Sequence, residues 1–159
     1  MDPLSITTGV LSLLGVCVSV SIELRKLKNG AGEAKSRISG LLSDVDNLRN
    51  VLQSMELTLD DLHNKDRFQT TGHIGVHWHS LNQSLSDGKD TLDDLASLLT
   101  SLDKSVSVLD GTRRYLRLEQ ASTQIVEYRQ HVQSYHDTIQ FSLQTVTLYA
   151  VENTSEMTY

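Results

Sequence analysis

Apolar residues recur every three or four positions along most of this chain, a spacing that predicts four long helices. The first run differs from the others. From Pro3 to Ile22 no side chain is charged, and the run ends abruptly in Glu23, Arg25, Lys26 and Lys28. Its apolar residues, from Leu4 and Ile6 through Val20 and Ile22, go most of the way round a helical wheel. A helix of that kind is either a central core helix or a membrane segment. Crossing a bilayer takes about 20 mainly apolar residues, which this run just supplies. Ser5, Thr7, Thr8, Ser12, Ser19 and Ser21 dilute it, so the resting state is read as the buried apolar helix of a soluble bundle. Small residues also fall near one stripe: Ser5, Gly9, Ser12, Gly15 and Ser19. Such a stripe lets another backbone approach closely, in water or in lipid. The alternative is therefore a helix that leaves the bundle and enters a membrane.

Helix one is expected over about 3–28, opened by Asp2 as N-cap and Pro3 in the first turn. Asn29-Gly30-Ala31-Gly32 stops it. Helix two, about 33–62, carries Ile38, Leu41, Val45, Leu48, Leu52, Met55 and Leu59 on one stripe, with Asp44, Asp46 and Arg49 between them. Residues 63–75 read as a loop. Helix three follows over about 76–108, with Asp87-Gly88 marking a kink or a split. Asp110-Gly111-Thr112 is a turn, and helix four covers about 117–150 through Ile125, Tyr128, Val132, Tyr135, Ile139, Leu143 and Val146. Residues 152–159 read as a polar tail after a single domain spanning 1–151. Four helices joined by short turns imply an all-α, up-and-down antiparallel four-helix bundle.

Composition narrows the function classes. The 159 residues carry a net charge of −6, which argues against nucleic acid as a general partner. The one cysteine, Cys17, lies inside the apolar helix and reads as a small buried hydrophobe, consistent with a reducing, cytoplasmic setting. A chain that starts with Asp2 and has no base before Arg25 does not read as a secretory signal. There is no GxxxxGK[ST] loop, GxSxG elbow, HExxH or CxxC pair, so neither an enzyme nor a cofactor site is expected.

Two clusters remain. His73, His77 and His79 surround Trp78, with His63 upstream. On a helix His73 and His77 share a face, the spacing that binds zinc, but no further ligand completes a tetrahedral set. The plainer reading is a polar segment anchored by Trp78, and a weak pH response is a third. Arg25, Lys26 and Lys28 end one helix, and Arg113, Arg114 and Arg117 begin another. In an up-and-down bundle both groups fall at one end, giving either ordinary surface charge or a rim for anionic lipid headgroups.

The opening MDPLSITTGVLSLLGVCVSV, the following LLSDVDNLRNVLQSM and the closing YLRLEQASTQIVEYRQHVQSYHDTIQFSLQ resemble the fungal N-terminal domain of STAND (NLR-like) proteins, the HeLo-like group. The resemblance covers most of the chain and contains no catalytic motif. It implies a helical bundle that precedes a nucleotide-binding oligomerisation module and repeats, neither of which these residues contain, so the chain reads as a solitary protein or an excised domain. It also implies an effector or signalling role in immunity, heterokaryon incompatibility or cell death, with self-association and, in some relatives, entry of the first helix into a membrane. The competing expectation is a helical adaptor that docks protein partners and never releases that helix.

Overall fold

A computed structural model describes residues 3–29, 32–64 and 73–156. Helix α1 spans Pro3–Lys28, and a short 3-10 turn, Gly32–Ala34, leads into α2, Lys35–Asn64. Helix α3 spans His73–Ser107 and α4 spans Gly111–Glu156. Gly32 holds φ at 55°, the left-handed conformation that a glycine adopts without steric cost.

The fold is an all-α four-helix bundle in which consecutive helices run antiparallel. Ser21 Oγ of α1 donates to Asp46 Oδ1 of α2 at 3.1 Å, and Thr91 of α3 is hydrogen-bonded to Tyr135 of α4 at 2.9 Å. Across the square, α1 packs on α2 and α3, and α4 packs on the same two, so α1 and α4 occupy opposite corners. Gly9 beside Leu85 and Gly88 beside Leu13 show α1 and α3 running parallel. The pairs Arg37 with Glu119 and Asp44 with Arg129 show the same for α2 and α4.

The inner face of α1 is the expected core: Ile6, Val10, Leu13, Cys17, Val20 and Leu24 are fully buried. These positions repeat every three or four residues and meet Leu41, Leu48, Leu52, Leu85, Leu92 and Leu99 from the neighbouring helices. On α4 the buried Leu118, Ile125, Val132, Ile139 and Val146 stand seven apart. That repeat keeps one narrow seam against the bundle, as in a coiled coil.

Three helix limits differ from the expected ones. Helix α3 begins at His73 and passes through Asp87-Gly88 without a break, because Gly88 is buried. A methyl group there would stand 3.3 Å from Leu13 Cδ2 and 3.6 Å from Tyr135 Cγ, so the missing side chain serves packing. Helix α4 starts at Gly111 and not near 117. Asp110 caps it, its carboxylate accepting from the Arg113 amide at 3.1 Å while its carbonyl accepts from Arg114 at 2.8 Å. Helix α4 also runs on to Glu156, through most of the stretch expected to be a polar tail. Of the loop expected over 63–75, residues 63–64 end α2 and residues 73–75 begin α3, while 65–72, with Lys65-Asp66-Arg67 and Thr70-Thr71-Gly72, lie outside the described residues.

Candidate functional site

Opposite its core face, α1 presents a second apolar stripe to solvent. Leu11, Val18 and Ile22 are 49%, 43% and 47% exposed, and with Gly15 they follow a 4-3-4 spacing along one line. Nothing lies within 4 Å of where a Gly15 side chain would begin. Thr8 and Ser19 border the stripe, exposed, and Ser19 Oγ donates back to the Gly15 carbonyl at 3.3 Å. A fully helical wheel explains the arrangement: one arc satisfies the bundle, and the rest of an all-round apolar helix has nothing left to pack on.

The five small residues divide accordingly. Gly9 faces α3, where an added methyl would meet Leu85 Cδ1 at 3.4 Å. Ser12 is half-buried, while Ser5, Gly15 and Ser19 are exposed. The stripe therefore seats a neighbouring helix of the bundle at Gly9, and its other members lie at or beside the outward face. By length and composition α1 is long and apolar enough to cross a membrane, and 33% of its apolar window is buried.

The basic residues gather at one end of the bundle. The C-terminus of α1 and the N-terminus of α4 lie there together, linked through the Gly32–Ala34 turn, which packs on α4 near Tyr115. Arg25 is 3.8 Å from Asp46, and Lys26 is 3.4 Å from Glu23. Lys28 is half-buried, Arg113 is exposed, Arg117 is half-buried, and the Arg114 Nε is buried without a hydrogen-bond partner. Lys35, Arg37 and Lys104 join these six from the start of α2 and the end of α3. Residue spacing within one helix does not signal that convergence. Against these nine cations the same end holds five acids among the described side chains: Glu23, Asp46, Asp103, Asp110 and Glu119. A chain of net charge −6 thus has one cationic end and an acidic remainder.

The other clusters carry less. Trp78 is buried at 2% exposure and anchors the start of α3, with His77 half-buried and His79 exposed on either side. The side chains of His63 and His73 lie outside the described residues. Among the described residues no group of three His, Cys, Asp or Glu stands close enough to hold a metal ion. Burial pushes the Cys17 thiol up to about 12, with smaller opposing effects from Arg49 and Asp46. A groove of about 260 Å³ between α3 and α4 is lined by Thr91, Asp94, Gln124, Glu127, Tyr128 and His131. Burial, and then Asp94 and Glu127, raise the Tyr128 phenol above its ordinary value.

Over residues 1–159 the chain matches the family described as Pigment biosynthesis cluster protein PigL N-terminal, and it belongs to that fungus-associated family of helical domains. No curated protein and no solved structure matches it.

Proposed function

We propose that this member of the PigL N-terminal family is a non-enzymatic effector or signalling domain of the fungal STAND (NLR-like) immunity or incompatibility type. It acts from the cytoplasm by self-association and entry of α1 into an anionic membrane. The observation that carries the proposal is the two-sided character of α1, apolar on its core face and again on its outward face at Leu11, Val18 and Ile22. A soluble bundle needs only the first of these. The basic end supports the reading, because Arg25, Lys26, Lys28, Arg113, Arg114 and Arg117 suit lipid phosphates, each contributing on the order of 1 kcal/mol near such a surface. The resemblance of the opening residues to the HeLo-like group points the same way.

Dye release from vesicles with and without anionic lipid tests the proposal, with Gly15→Asp beside the wild type. Gly15 has open space around it, so the aspartate is compatible with the folded bundle while placing a charge on the inserting face. Leakage of anionic vesicles by the wild type alone is expected. No binding and no leakage at micromolar protein, even with forced clustering, sinks the proposal in favour of a helical adaptor that docks protein partners.

A further inference from the structure

We infer that the outward stripe of α1 is covered, in the resting protein, by the same stripe of a second copy, the two α1 helices running antiparallel about Gly15. The inference does not rest on membrane entry and concerns the protein before any lipid is met. Three exposed aliphatic residues on one line form a face that water solvates poorly. The stripe is self-complementary, because in an antiparallel pair centred on Gly15, positions whose numbers sum to about 30 lie opposite each other. Leu11 then faces Ser19, Thr8 faces Ile22, and glycine faces glycine at the crossing. The absent side chain at Gly15 lets the two backbones approach there, and the larger side chains on either side close over small ones.

Charge decides the direction. From Pro3 to Ile22 α1 carries no charge, so nothing on the stripe opposes pairing. A parallel pair sets one cationic end beside the other and is repelled. An antiparallel pair sets the cationic end of one copy beside the far end of the next, which differs in sign. Because Ser21 lies beside Asp46 and the two helices run antiparallel, the half-buried Glu56 and exposed Asp60 of α2 flank the N-terminal half of α1. A two-fold axis across the α1 pair keeps the α2 flanks on the same side. Arg25 of the second copy, 54% exposed and only loosely held by its own Asp46 at 3.8 Å, then lands beside Asp60, and the arrangement occurs twice. One helix face buries less than the roughly 800 Å² per partner of a standard interface, so the pair is weak and salt-sensitive. Such a pair hides the stripe that a membrane would otherwise meet.

Sedimentation velocity of the full chain up to about 0.5 mM, where a small helix–helix contact is populated, measures the pairing. A concentration-dependent dimer is expected, weakened at least about tenfold by Val18→Glu, a change at a surface position that leaves the fold intact. Direction is read by mixing Thr8→Cys chains with Ile22→Cys chains under mild oxidation. The buried Cys17, with its thiol pushed up to about 12, does not compete. Disulfides between the two variants, exceeding those within either one, support the antiparallel pair. A monomer at every concentration, a Val18→Glu chain that dimerises like wild type, or cross-links confined within each variant would each overturn it.

Discussion

Where α2 meets α4, the Arg129 guanidinium lies over Gly40 and donates to Asp44 Oδ2 at 2.8 Å, and Gln133 donates to the same oxygen at 3.2 Å. Where α1 meets α3, Leu13 closes against Gly88 and Leu85 against Gly9. The first seam depends on direction: an acid 11% exposed needs donors at fixed positions, and lipid offers no substitute for them. The second depends on apolar area, which is non-directional and which a bilayer replaces at little cost. The helix proposed to leave the bundle is therefore held on its α3 side by contacts that water drives and lipid replaces, with the Ser21 to Asp46 hydrogen bond added on its α2 side. Helices α2 and α4 are clamped into a unit that stays behind.

The sharpest way to break this contrast is to thin the apolar seam. Leu13→Ala, at a fully buried site, is expected to cost about 3 kcal/mol by urea unfolding. A loss under 1 kcal/mol would mean that apolar contact is not what holds α1. High pH acts on the same face through Cys17. Its thiol lies above its ordinary value of 9.0 when folded, at about 12, so the stability tied to the neutral thiol is complete below pH 9 and declines as pH rises from 9 toward 12. The slope is at most about 1.4 kcal/mol per pH unit, and Cys17→Ser should remove it.

Two glycine-to-alanine changes sharpen the comparison because their signs differ. At Gly40 the new methyl would stand 2.5 Å from Arg129 Nη1, so the guanidinium must shift and its bond to Asp44 is strained. A loss of about 1 kcal/mol is expected, with Asp44→Ala adding little in that background, as a double-mutant cycle would show. At Gly15 nothing is displaced within one chain, so in dilute, monomeric protein helix propensity alone acts. Gly15→Ala should therefore raise the unfolding midpoint, by roughly 0.5–1 kcal/mol of added stability. Destabilisation of the dilute, monomeric chain would mean that the outward face already packs within its own bundle.

Much of this architecture was legible in residue spacing. The 3-4 periodicity of Ile38 to Leu59 names a helix and its buried arc, and the uncharged run ending at Glu23 names a helix. Spacing could not show which arc of α1 faces out, because apolar residues occur all round it and the choice depends on where α2 and α3 lie. The Asp44–Arg129 contact joins residues 85 apart, and nothing local marks either as a partner. Gly88 reads as a helix breaker in a window of neighbours, yet Leu13 and Tyr135 give it a packing role that only tertiary structure reveals. The basic end was half legible: the two tripletted groups stand out, whereas Lys35, Arg37 and Lys104 join them only through the turns of the bundle. Asp110 reads as part of a turn because of its glycine neighbour, and its capping of α4 carries the helix back to Gly111.

The most direct test of α1 release is a lock. Gly9 and Leu85 are placed so that their β-carbons would stand 3.6 Å apart, within the range a disulfide spans. A Gly9→Cys, Leu85→Cys chain, oxidised and then reduced, holds α1 to α3 reversibly in the same molecule. Dye release from anionic vesicles should be lost in the oxidised form and return on reduction. Equal leakage from both forms would contradict the account, because α1 would then be doing its work without leaving the bundle.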